Sequence, residues 1–399
     1  MIPYGKQKIT EEDIDAVIRV LRSSFLTQGP AVSKFEQSLR SYTDAKHAVA
    51  VNSCTSALHL SCLALGLGPG DILWTSPISF VASANCALYC GASVDFVDIE
   101  PDTALMSVEK LEEKLQQAEK EGKLPKIVVP VHFAGQPCDM QQVHELGKKY
   151  GFSIIEDAAH AIGARYQGEP VGNCRYSDIT VFSFHPVKII TTGEGGAALT
   201  NDLHLAERIA LLRSHGVTRD PEKMSKEPDG PWYYEQIELG FNYRMTDIQA
   251  ALGYTQMESL DHFVSRRNEI ASWYDEKFNV LSVEPLRLKS ERDSAYHLYV
   301  TRIEGGEKKR DYMHNQLREA GVGVNLHFIP VYQQPYYRTV EQTEDMQKEC
   351  VSTDNLKWLN NAEHYYARAI SLPIYPALQL EEMHHVVQVI SQVTRDFEQ

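Results

Sequence analysis

Lys188 stands in Phe182-Ser183-Phe184-His185-Pro186-Val187-Lys188, and Thr191-Thr192-Gly193-Glu194-Gly195-Gly196 follows shortly after. Upstream lies Ile154-Ile155-Glu156-Asp157-Ala158-Ala159-His160. Most lysines are solvated surface charges. This one sits in a largely uncharged stretch after the apolar run 179–182, where an ammonium is costly. A desolvated amine forms imines and works as a base, and a carboxylate facing a pyridine nitrogen keeps that ring protonated. Together the residues read as the working parts of a pyridoxal-phosphate enzyme, with Lys188 for the Schiff base and Asp157 for the pyridinium nitrogen.

Other candidates gather at the same kind of position. The strand expected at 47–51 runs into Asn52-Ser53-Cys54-Thr55-Ser56, a small-residue turn opening a helix. Such a turn offers free N–H groups and the positive end of the helix dipole, which suits a phosphate; read alone, Ser and Thr there are equally ordinary caps. Phe80 could stack on a planar ring, although composition favours a core aromatic. Asp157 reads about evenly as a ring partner or a helix N-cap. His160, three residues on, could hold a phenolic oxygen, and the Ser183 hydroxyl could reach a phosphate. The run 193–196 carries no chemistry unaided.

These residues need elements to position them. Short apolar runs at 47–51, 72–75, 94–97, 127–131, 153–155, 179–182 and 197–199 read as strands, with helices expected at 56–65, 81–88, 108–118 and 140–150. That alternation predicts an α/β fold with a mostly parallel seven-stranded sheet, which places ligands at the carboxyl ends of its strands. A further helix is expected over 245–260 with Asp247 as its cap. Beyond it the pattern predicts a strand at 295–302, a helix at 308–320 and a charged, exposed stretch at 343–355. At 399 residues the chain is expected to form a large domain, 1–261, and a smaller C-terminal α/β domain, 262–399.

Composition narrows the function classes. The chain is 43% hydrophobic and 23% charged, ordinary for a globular protein, and no apolar run is long enough to span a membrane. Its seven cysteines include no Cys-x-x-Cys pair, the first residues lack an apolar signal core, and no metal site is expected. Free thiols without a signal predict a cytoplasmic location. A net charge of −15 argues against sequence-independent nucleic-acid binding. No Gly-x-Gly-x-x-Gly or Gly-Lys-Ser/Thr motif supports a nicotinamide dehydrogenase or a nucleotide-triphosphate loop.

Taken together, segments 52–58, 76–80, 156–161, 182–196 and 240–253 resemble the DegT/DnrJ/EryC1/StrS sugar aminotransferases, a family of the pyridoxal-phosphate transferase fold type I. The resemblance runs from about residue 26 to 373. It implies Lys188 as the Schiff-base lysine, Asp157 as the pyridinium partner, and Thr55, Ser56 and Ser183 as phosphate ligands, with Phe80 against the ring and His160 beside it. It implies Asn242 as a phosphate ligand offered to a partner subunit, hence a homodimer with shared active sites. Within the family, segments 2–4, 183–196 and 324–332 most resemble the pseudaminic-acid branch, from which Ile189 departs. That branch implies L-glutamate as amino donor and a UDP-linked 4-keto sugar as acceptor. Tyr4, Thr27, His327 and Arg338 are candidate substrate residues, each with an equally good structural reading.

Three other functions compete. Another 4-keto sugar aminotransferase would carry the same motifs. Pyridoxal-phosphate sugar dehydratases on this fold carry His in place of the lysine, which Lys188 argues against. A purely regulatory protein is disfavoured by the acidic charge and by the lack of a DNA-reading element.

Overall fold

The computed structural model describes residues 1–279, 281, 283–339 and 358–398. The stretch expected to be charged and exposed, 343–355, lies outside the described residues. The chain builds β1 (His47–Val51), β2 (Ile72–Thr75), β3 (Ser93–Phe96), β4 (Ile127–Val129), β5 (Ser153–Asp157), β6 (Ile179–Ser183) and β7 (Gly196–Thr200) into one sheet of order β1-β7-β6-β5-β4-β2-β3. Strands β2 to β6 pair in parallel, whereas β7 is antiparallel to both β1 and β6.

Both faces of this sheet are covered, so its strands are apolar runs rather than alternating ones. Adjacent residues still part company, because the pleat sends successive side chains to opposite faces. In β2, Leu73 packs with Val94 and Ala87, while its neighbour Trp74 packs with Leu111 and Val143. In β5, Ile155 and Ile154 divide in the same way. Helices Cys54–Ala64, Ala82–Tyr89 and Leu203–Arg213 cover the first face. Helices Val108–Glu121 and Met140–Tyr150 cover the second. Over β1, β6 and β7 that second face is closed by Phe35 and Leu39 of helix Pro30–Thr43 and by Ala250 and Met257 of helix Asp247–Glu258. No helix among the described residues is long and apolar enough to cross a membrane.

A second sheet of three antiparallel strands, β8 (Val283–Pro285), β9 (Tyr299–Ile303) and β10 (Ala369–Leu372), packs against helix Leu260–Phe278 through Ile270, Tyr274 and Phe278. Helix Glu307–Glu319 adds Met313 and Leu317 to that cluster.

Several boundaries differ from the sequence reading. The helix expected over 245–260 is two helices, Asp247–Glu258 and Leu260–Phe278, meeting at Ser259. Its cap is Thr246, whose hydroxyl takes the Gln249 N–H in a capping box, not Asp247. Asp247 is buried, and its carboxylate accepts the backbone N–H of Gly29. The strand expected at 295–302 is shifted: β9 starts at Tyr299, and residues 295–298 form a connection that becomes important at the site.

Candidate active site

The carboxyl ends of strands β1, β2, β5 and β6 lead into one cavity of about 900 Å³. Strand β1 gives way to Ser53, whose extended backbone and hydroxyl, accepting from the Ser56 N–H, cap helix Cys54–Ala64. The N–H groups of Cys54 and Thr55 then lie in the first, unpaired turn of that helix, where the dipole favours an anion. The helix start packs closely on β7: a Cβ on Gly196 would sit 2.5 Å from the Cys54 nitrogen. The Ser56 hydroxyl donates to Asn52 Oδ1 at 2.7 Å, and Ser183 ends β6 beside the same opening.

Strand β5 contributes two carboxylates with opposite destinations, since both belong to the strand rather than following it. Glu156 turns to one face, where it accepts from His132 Nε2 at 2.7 Å and from the Ser177 and Thr180 hydroxyls. The Cys138 N–H donates to His132 Nδ1, so the imidazole proton sits on Nε2. Asp157 turns to the other face, into the cavity. Its Oδ2 accepts from the Ser83 hydroxyl at 2.6 Å and its Oδ1 from the Ala159 N–H at 3.1 Å. A carboxylate that takes the N–H two residues on is a local turn device, yet this one also faces an open cavity.

Lys188 enters from the loop after β6. Burial lowers its amine to about 8, against the opposing pull of Cys54 and Asp157. Its Nζ lies 3.5 Å from His297 Nε2. His160, His297 and His327 stand around it, each held below the usual imidazole range by burial first and by the Lys188 charge next. His327 falls to about 3. The ring nitrogens His160 Nδ1 and His297 Nδ1 are buried without a hydrogen-bond partner among the described residues. Among the described residues lining the cavity, Lys188 is the only lysine or arginine.

The structure therefore brings Tyr4, Thr55, Ser56, Phe80, Asp157, His160, Ser183, Lys188 and His327 to one cavity. Phe80 is 61% exposed, which corrects the expectation of a core aromatic, and it approaches Phe328 across the opening at 6.3 Å between rings. Thr27 and Asn242 do not line this cavity: both are exposed, bridged through their backbones to Thr246 and Ser214. The side chain of Arg338 lies outside the described residues. Sequence reasoning missed Ser83 and His297. Neither has a local signal, because Ser83 meets Asp157 across 74 residues and His297 meets Lys188 across 109.

The donor set fits pyridoxal phosphate. A helix start and two hydroxyls suit its phosphate, a fixed carboxylate suits its ring nitrogen, an unpartnered imidazole nitrogen suits its phenolic oxygen, and a desolvated amine suits its aldehyde. A model of the DegT/DnrJ/EryC1/StrS aminotransferase family matches residues 7–391. The UDP-4-amino-4,6-dideoxy-N-acetyl-β-L-altrosamine transaminase of Campylobacter jejuni is 36% identical over 388 residues, 97% of this chain and 96% of that one. The spore coat polysaccharide biosynthesis protein SpsC of Bacillus subtilis is 37% identical over 401 residues, 99% and 97% of the two chains. Among solved structures, Helicobacter pylori PseC, an aminotransferase of pseudaminic-acid biosynthesis, superposes with a TM-score of 0.87 at 31% identity, covering 99% of this chain and 100% of that one.

Proposed function

The chain belongs to the DegT/DnrJ/EryC1/StrS aminotransferase family, and on that premise we propose that it moves an amino group from L-glutamate to C4 of a UDP-linked 4-keto-6-deoxy-N-acetylhexosamine. Like its family it is a pyridoxal-phosphate-dependent sugar aminotransferase of fold type I. The observation that carries the proposal is that the Lys188 amine, on the loop after β6, and the fixed Asp157 carboxylate, at the end of the neighbouring parallel strand β5, line one cavity. The acceptor sugar rests on the Campylobacter and Helicobacter relatives.

Pyridoxal phosphate, when bound, supplies an electron sink conjugated to the amine in transfer. Lys188 is the residue whose Nζ would hold the cofactor's aldehyde, and its free amine is the base that would move a proton at the donor's α-carbon. Burial brings its amine down to about 8, so about a tenth is uncharged at pH 7, far more than for an ordinary lysine. Asp157 presents the negative partner a protonated ring nitrogen requires, and Ser83 fixes its orientation. Thr55, Ser56 and Ser183, with the helix start behind them, would hold the phosphate. Phe80 would lie against the ring and His160 Nδ1 would accept or donate at the phenolic oxygen. Across the two half-reactions glutamate leaves as 2-oxoglutarate, and the ketone oxygen leaves as water.

Glutamate and a nucleotide diphosphate both bring negative charge to a cavity whose described lining holds one cation, Lys188. This supports a homodimer in which the second subunit completes the site, with Asn242 offered across to the partner's phosphate group. We likewise propose a division near residue 261, because the apolar cluster of helix Leu260–Phe278 and the three-stranded sheet is separate from those of the main sheet.

The test is amination of a panel of UDP-linked 4-keto sugars with L-glutamate, followed by mass spectrometry of the nucleotide sugar. A C4 amine on the 4-keto-6-deoxy-N-acetylhexosamine is the expected product. Turnover of other 4-keto sugars only would favour a different acceptor, as the equally similar Bacillus relative, a spore coat polysaccharide biosynthesis protein, also suggests.

A further inference from the structure

The unpartnered nitrogen of His297 and its contact with Lys188 are not used by the function proposed above. Among the described residues, Nζ of Lys188 makes one hydrogen bond, to His297 Nε2 at 3.5 Å. Asp157 is near enough to act on the lysine's charge, but its two oxygens already accept from Ser83 and Ala159. The separation is long, of the kind that tightens as a catalytic site fills.

His297 is held by its backbone rather than by its ring. Arg267, buried and without a carboxylate partner among the described residues, donates from Nη1 to the carbonyls of Tyr296, His297 and Ile374 at 3.1, 3.3 and 3.0 Å. The Ala295 and Leu298 N–H groups bond to the carbonyls of Gly135 and Ala134. A Cβ on Gly135 would lie 2.7 Å from the Tyr296 nitrogen, so the two segments touch backbone to backbone. The imidazole is thus fixed at the end of a rigid connection, while its own Nδ1 is buried without a partner. The groups facing it are Lys188, His160, Arg267 and His327. Burial foremost, and then these neighbours, keep the ring uncharged, which leaves one of its nitrogens free to accept.

We propose that His297 is a positioning residue for Lys188: its Nε2 accepts a hydrogen bond from the lysine amine whenever that amine is not bonded to the cofactor, and so turns the Nζ lone pair toward the cavity. This rests on the reading of Lys188 as the cofactor's lysine. The acceptor matters because a released lysine amine has several rotamers to occupy, and the hydrogen bond to His297 Nε2 favours one of them. With one N–H pinned on His297, the lone pair keeps a single direction. On protonation the same contact holds the ammonium, so the group need not reorient between taking and returning a proton. With Nε2 accepting, the imidazole proton is on Nδ1.

The test uses the full-length chain freed of cofactor, in the wild type, His297→Phe and His297→Gln. The rate at which each captures pyridoxal phosphate is followed by visible absorption across pH. Wild-type capture is expected to rise with a midpoint near about 8. In His297→Phe the ammonium loses its acceptor, so the midpoint moves down by about one pH unit. His297→Gln, whose Oε1 can accept in the place of Nε2, returns the midpoint to within a few tenths of a unit of wild type. A His297→Phe profile that superimposes on wild type, or that moves upward, overturns the inference while leaving Lys188 in its role. A wild-type chain that captures nothing at Lys188 overturns both the inference and the reading beneath it, so the two failures are distinct. Should His297→Phe fold poorly, the profile of His297→Leu, a neutral side chain with no acceptor, must fall below wild type in the same direction.

Discussion

The Ser83 hydroxyl donates to Asp157 Oδ2 at 2.6 Å, joining the helix that follows β2 to the carboxylate that ends β5. Both residues are buried, and Ser83 is in turn bonded to Ser79. Asp157 therefore stands in one orientation before any cofactor arrives. Ser83→Ala is expected to weaken pyridoxal-phosphate affinity by roughly ten-fold, the scale of a hydrogen bond to a charged group, and to slow the glutamate half-reaction. Ser83→Thr, which keeps the hydroxyl, is expected to recover most of both. Equilibrium dialysis and stopped-flow absorption measure the two quantities separately.

Lys188 is expected to cost the fold stability. Its amine titrates at about 8 in the folded chain and at its ordinary 10.5 when unfolded. Unfolding therefore takes up a proton between those values, and stability rises with pH through that window. At pH 7 the penalty is full, up to about 3 kcal/mol from the size of the shift. Lys188→Met should abolish transamination yet melt higher than the cofactor-free wild type at pH 7. That advantage should shrink between pH 8 and 10.5, as thermal melts across pH would record.

Gly196 opens β7 directly beneath the phosphate-binding turn. Its would-be Cβ meets the Cys54 nitrogen at 2.5 Å and the Ser53 carbonyl carbon and oxygen at 2.6 Å, all backbone atoms that cannot rotate away. Gly196→Ala must lift the helix start from the sheet. The expected result is a loss of pyridoxal-phosphate affinity of more than about ten-fold, with overpacking destabilising the chain by about 1–3 kcal/mol. Cofactor titration and denaturant unfolding read the two effects.

Glu156 sits beside Asp157 in sequence and on the opposite face of the sheet, so its loss should separate stability from chemistry. Glu156→Gln puts a carboxamide where the carboxylate accepts from His132, Ser177 and Thr180, which leaves at least one donor without its partner. A cost of about 2 kcal/mol follows from an unsatisfied buried group. The pyridoxal-phosphate capture rate of the folded variant should equal that of wild type.

The sheet was legible because doubly covered parallel strands are short apolar runs broken by turns. Strands 47–51 and 72–75 and helix 140–150 match their expected limits. Strand 153–155 fell short, because the sequence gives no reason to bury two adjacent carboxylates; the His132 and Ser83 partners that make this possible are 24 and 74 residues away. The cap at Asp247 was misread by one position: Thr246 and Gln249 form the capping box, and Asp247 serves Gly29 instead. Composition placed Phe80 in the core, whereas the carboxyl end of β2 delivers it to the rim of the cavity. Lys188 and Asp157 were visible as types at strand ends. His297 was not, because what places it is Arg267 holding a backbone connection, and a guanidinium bonded to backbone carbonyls leaves no pattern in sequence.

The most direct measurement is reduction of the purified, cofactor-loaded protein with borohydride, followed by peptide mapping by mass spectrometry. The pyridoxyl adduct is expected on the peptide carrying Lys188, with the visible band lost on reduction and neither signal present in Lys188→Ala. An adduct on a different lysine, or retention of the adduct in Lys188→Ala, would contradict the assignment on which the account of this site stands.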